Sequence, residues 1–158
     1  MNQTIHLEEL ARQVRGSTLD LLGAARESWL TWAPEGTSNH LLWHAGHALW
    51  LQDVLCVRPL TGASELPPAW SETFGSRCRP ARTTRHWPAR GEVRDLLTAQ
   101  LDRMLALFRL EGHRLERVGP NTPAGWDLAR GVIHGLHDEA RHQGEMYLLL
   151  KLCRARNV

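Results

Sequence analysis

The sequence predicts an all-α protein, a four-helix bundle with a long crossover between its second and third helices. Three observations carry that expectation. Apolar residues recur at three-four spacing in four long stretches, no stretch reads convincingly as a strand, and no proline falls in the interior of any of the four. With 158 residues the chain is expected to form a single domain, 1–158, large enough to bury a core without disulfide or metal staples. No internal repeat or low-complexity segment interrupts it.

The first helix is expected from about Ile5 to Ser28. Leu7, Leu10, Val14, Thr18, Leu21, Leu22 and Ala25 keep a three-four spacing, Thr4 can cap, and Glu8 and Glu9 suit the positive end of the helix dipole. Pro34 and Gly36 then break the chain, and Ser38 or Asn39 is available to cap a second helix from about Asn39 to Val57. Between Arg58 and Gly91 the prolines and glycines are too dense for much regular structure. A connection of that length can run from one end of a bundle to the other, which lets helices two and three lie parallel. Helix three carries Val93, Leu97, Leu101, Met104 and Phe108 in one stripe, with Arg94, Asp95, Asp102 and Arg103 outside it, and Gly112 weakens its end. The turn VGPNTPAG leads into helix four, where Thr122 can cap and Pro123 fits the first helical position.

Composition narrows the function classes. The formal net charge of +2, from 19 basic and 17 acidic residues, is not that of a basic body, so nucleic acid is not an expected partner. Cys56, Cys78 and Cys153 are odd in number and widely spaced, which points away from a disulfide framework and toward a reducing compartment. The opening MNQTIHLEELARQ has no apolar signal core, and no run approaches a membrane span. A cytoplasmic protein without a membrane partner is expected.

The chemistry gathers in helix four, in the stretch VIHGLHDEARHQGEMYLLL from Val132 to Leu150. At about 100° per residue, His142 and His134 fall about 40° to either side of Asp138, and Glu145 falls between them. His137 and Glu139 are swung off that stripe by about 100°. Asp138 and His142 are an i, i+4 pair able to converge on one point. Helix two offers His40, His44 and His47 on one face, and a histidine from there would complete two imidazoles and a carboxylate. That is the ligand count of catalytic zinc sites, whose remaining position is filled by water or substrate. Geometry alone does not choose between His44 and His47. A plainer reading of Asp138 and His142 is a hydrogen-bonded pair inside the core.

The motifs GHALWLQD and HGLHDEARHQGEMYLLLK resemble those of the DinB/YfiT-like superfamily of metal-binding four-helix bundles, and within it the thiol-dependent transferases and mycothiol-dependent maleylpyruvate isomerases. The resemblance implies a single ligand from helix two, His47, followed by an aromatic and an acid, here Trp50 and Asp53. It also implies a ligand pair on the last helix, here Asp138 and His142, with Asp standing where the family more often has His or Glu. On that basis the metal ligands are His47, Asp138 and His142, while His44 is a supporting or packing residue and His40 caps or faces solvent. His134 and Glu145 are candidates to orient the ligands or move a proton, and His137 is a surface residue. Zinc or nickel is the expected ion, and the ligand set also suits iron or manganese. The implied function is a metal-dependent thiol transferase or isomerase with a low-molecular-weight thiol as cosubstrate, acting on a small molecule, in a homodimer. A metal-dependent hydrolase and a non-catalytic metal-binding stress-response protein are the alternatives.

One stretch stands outside the resemblance. FGSRCRPARTTRHWPARG, Phe74 to Gly91, holds five arginines and no acid, flanked by Trp70 and Trp87. Guanidinium groups in that density can receive an anionic substrate, although runs of charge are more often simply solvated. Cys78 within it is either a bystander or a thiol activated by the neighbouring arginines.

Overall fold

Helix α1 spans Gln3–Gly23 in the computed structural model, which describes residues 3–75, 86–118 and 125–156. It ends earlier than its apolar pattern suggests. Arg26 takes an extended backbone (φ −72°, ψ 156°), and the chain tightens into a single 3-10 turn, Glu27–Trp29. Thr4 lies inside α1 and not at its cap.

Helix α2, Leu41–Gln52, is capped by a residue that the capping rules rank low. His40 is extended (φ −119°, ψ 170°), and its Nδ1 accepts the backbone N–H of Trp43 at 3.1 Å, the service that Ser38 or Asn39 was expected to supply. The helical path also continues past Val57. A π-helical turn at Asp53–Val57, closed by the Arg58 N–H donating to the Asp53 carbonyl, leads into α3, Arg58–Thr61. The wide turn relaxes the register just before Pro59, which has no N–H to give, and Gly62 ends the helix at φ 90°. The expectation of irregular chain from Arg58 is therefore corrected. It is corrected again at α4, Trp70–Phe74, a short helix within the crossover.

Helix α5 runs Arg90–Glu111 with Val93, Leu97, Met104 and Phe108 buried, and a 3-10 turn follows at Gly112–Arg114. Helix α6, Leu128–Ala155, starts later than expected, because Asp127 caps it: its Oδ1 accepts the Arg130 N–H at 2.7 Å. Thr122 and Pro123 lie outside the described residues. Among the described residues the only β pairing is an isolated bridge, Val118 to Asp127, so the chain is all-α.

The four long helices form the bundle, with α1 packed on α5 and α6, and α2 packed on α6 and α5. Leu41, Leu42 and Leu49 share a cluster with Val93 and Leu97, while Val57 and Leu60 share another with Met104 and Phe108. Helices α2 and α5 thus run parallel, as the long crossover implies. Between the two clusters lies a buried polar layer. The Arg15 Nε and Nη2 bond Glu139 at 2.9 and 3.1 Å, Nη1 bonds the Leu97 carbonyl, and the Thr18 hydroxyl donates to Glu139 Oε1 at 2.6 Å. Glu139 looks away from Asp138, as its angle on the helix requires, and locks α6 against α1.

Candidate metal centre

Antiparallel packing of α2 on α6 brings His44 opposite His142 and His47 opposite Asp138. The approach is close because small residues stand where the backbones need room. A Cβ on Gly135 would press on the buried Gln52 amide of α2. A Cβ on Gly46 would fall inside the ring of Phe74, so the crossover helix α4 can lie directly on α2. The Trp70 Nε1–H fixes that contact by donating to the Gly46 carbonyl at 3.1 Å.

Three side chains converge. Asp138 Oδ2 lies 3.2 Å from His142 Nε2 and 3.6 Å from His47 Nε2, and the ligand atoms of the three lie within 4.8 Å of one another. The His47 ring is stacked on Trp43 (4.7 Å between centroids, 18° between planes) and flanked by Trp50 at 5.3 Å. Its Nδ1 sits 2.7 Å from the Phe74 carbonyl oxygen. A carbonyl only accepts, so His47 carries a proton on Nδ1, and the neutral ring turns a bare Nε2 toward Asp138. Two acceptors, an imidazole lone pair and a carboxylate, then face each other across a gap that requires a proton or a cation. Two ligand atoms at the usual 2.0–2.2 Å from one tetrahedral zinc ion stand roughly 3.4 Å apart, and the two separations to Asp138 Oδ2 bracket that value. The donor set fits a divalent ion. When protons fill that gap instead of an ion, the hydrogen bonds donated by His142 and then His47 hold the Asp138 carboxyl well below the usual carboxylate range.

The other predicted residues fall into place around this centre. His44 is buried, with its Nδ1 2.8 Å from His142 Nδ1 and its Nε2 3.2 Å from Glu145 Oε2. Burial first, and the neighbouring His142, His40 and His47 second, push its pKa down to about 3. His44, His142 and Glu145 thus make a second cluster that shares His142 with the first. Glu145 is 59% exposed and reaches the centre through His44, at the edge of a cavity of about 340 Å³ lined by Pro34, Asn39, Leu148 and Leu152. His134 is exposed and packs edge-on against Trp126, 5.0 Å between centroids. His40 is buried, which removes the solvent-facing reading and leaves the cap. His137 is exposed, as expected.

Trp50 and Asp53 turn out to hold the crossover. The Trp50 Nε1–H donates to Ser71 Oγ, and buried Asp53 accepts the Glu65 backbone N–H at 3.0 Å. The element missed entirely in the sequence is the Phe74 carbonyl, a backbone atom 27 residues from His47. Only Gly46, a glycine inside an apolar helix, hinted at a close approach there. Of the arginine-rich stretch, Arg77, Arg79, Arg82, Arg85 and Cys78 lie outside the described residues. Arg90 is committed elsewhere, to the Ala25 carbonyl at 2.6 Å and to Glu27.

A sequence model of the DinB superfamily matches residues 10–146. The chain belongs to the DinB superfamily. No curated protein matches it. The DinB match takes in all of α2 and α6 as far as Met146, and with them His44, His47, Asp138, His142 and Glu145. Among the described residues no helix is long and apolar enough to cross a membrane.

Proposed function

We propose that this DinB protein holds one divalent ion through His47, Asp138 and His142 and acts as a metal-dependent thiol transferase or isomerase. The observation that supports it is the His47 Nε2, which the bond from Nδ1 to the Phe74 carbonyl aims, together with His142 Nε2, at one carboxylate oxygen. Zinc or nickel is the ion we favour, with iron or manganese compatible. When bound, such an ion supplies the charge that favours thiolate over thiol, or hydroxide over water, near neutral pH.

The chain's own residues do the rest. Trp43 and Trp50 flank His47 and keep water from its inner side. Glu145 is better placed than His134 to move a proton, since it contacts the His44–His142 pair whereas His134 packs on Trp126. The substrate is a small electrophile, and an anionic end on it would match the arginines between Phe74 and Gly91. Exposed Tyr147 and Leu148 on α6 support a homodimer through that helix, to be weighed by sedimentation equilibrium against the 17.9 kDa chain mass.

Metal-loaded protein incubated with bacillithiol, mycothiol or glutathione and a model electrophile tests the reading, with His47→Ala as control. Conjugation that requires metal and His47 is the expected result. Glu145, a solvent-facing carboxylate near the ligands, favours hydrolysis as the second reading. Ester or amide hydrolysis lost in His47→Ala, without conjugation, would select it. No turnover in either assay would leave a non-catalytic metal-binding protein.

A further inference from the structure

Outside the three ligands, one chain of contacts has a direction that the chemistry of its ends determines. Glu145 stands at its outer end, His44 in the middle and His142 at its inner end, with separations of 3.2 Å and 2.8 Å. A carboxylate only accepts, so the His44 Nε2 facing Glu145 carries a proton. His44 is 1% exposed and wedged against His142, with Trp43 edge-on at 5.4 Å. An imidazole that turns its Nε2 to a metal ion keeps its proton on Nδ1, so with His142 as a ligand the proton of the 2.8 Å contact belongs to His142 and His44 Nδ1 accepts it.

We infer that His44 is a positioning residue for His142: by accepting the His142 Nδ1–H it fixes the tautomer and the ring angle that present Nε2 toward Asp138 and His47. Glu145 acts one step further out, setting the tautomer of His44. The two ligating imidazoles are therefore oriented by different parts of the fold. His47 is held by a backbone carbonyl of the crossover, and His142 by a side-chain relay that ends in solvent beside the cavity of about 340 Å³. Outer partners of this kind commonly change metal affinity by about 10–100-fold when removed, because the ligand loses both its orientation and part of its basicity. The inference rests on the reading of His142 as a ligand.

Two measurements test it without recourse to turnover. In zinc-loaded, 15N-labelled protein, long-range imidazole spectra are expected to place a proton on His142 Nδ1 and on His44 Nε2, with a coupling across the bond between them. A proton on His44 Nδ1 would reverse the bond and overturn the inference. Competition with a chromophoric chelator then measures zinc affinity in variants whose fold is checked by circular dichroism. His44→Leu is expected to bind zinc about 10–100-fold more weakly, while His44→Asn, whose amide oxygen can accept the same N–H, recovers to within about threefold of wild type. A folded His44→Leu variant with wild-type affinity sinks the inference. His47→Ala separates the two readings: if it loses zinc and His44→Leu does not, the metal site stands and only the role of His44 falls. If His47→Ala keeps its zinc, the metal site itself falls.

Discussion

The Nδ1–H of His47 donates to the Phe74 carbonyl oxygen at 2.7 Å, and that single bond ties the crossover to the His47–Asp138–His142 cluster. The long connection between α2 and α5 does more than span the bundle. Its short helix α4 lies against Gly46, and the carbonyl at its end sets which nitrogen of His47 is free.

Gly46→Ala should therefore act on His47 through the crossover helix α4. The added Cβ would overlap the Phe74 ring, so α4 must shift and its carbonyl with it. Overpacking of this kind costs about 1–3 kcal/mol. We expect a lower melting temperature together with weaker zinc binding. Unchanged zinc affinity in the folded variant would show that the carbonyl is dispensable.

Alanine variants at His47, Asp138 and His142 should each lose bound metal. Elemental analysis of purified protein reads this directly. Metal content in Asp138→Ala equal to that of wild type would refute the assignment.

Acid should weaken the metal-free fold through His40. Burial lowers its pKa from about 6.5 to about 4, and its Nδ1 must stay bare to cap α2. The unfolded chain takes up a proton on this group near pH 6.5, and the folded one only near pH 4. The contribution is thus complete above about pH 6.5 and lost as pH falls toward about 4, on the order of 3 kcal/mol in all. Urea titrations across that window should show the slope. His40→Asn keeps a cap without the titration, so its profile should be flatter over the same range, and an equally steep one would assign the slope to other groups.

Breaking the Arg15–Glu139 pair should be costly where replacing it is not. Glu139→Ala leaves a guanidinium buried without its counter-charge, for a loss of about 3–5 kcal/mol. The double variant Arg15→Met, Glu139→Leu should recover most of that stability, which denaturant unfolding will measure.

Much of this protein was legible in its residues. Apolar spacing determined the four helices and the stripe of α5, and an angle of about 100° per residue put Asp138, His142 and Glu145 on one side of α6 and turned Glu139 away. Those are properties of a single helix, written into the order of its side chains. The ends of the helices were less legible. An extended His40 capping α2, a π-turn admitting Pro59 and Asp127 starting α6 each depend on which backbone groups the packed chain leaves without partners. What only the tertiary structure decided is how helices meet. His47 and His44 share a face of α2, and nothing within α2 says which groups each of them meets. The distinction comes from the register of α2 on α6, which sets His47 against Asp138 and His44 against the far nitrogen of His142, and from a carbonyl delivered by the crossover. A side chain's position on its own helix is a local quantity, whereas the atom that faces it is a property of the whole packed chain.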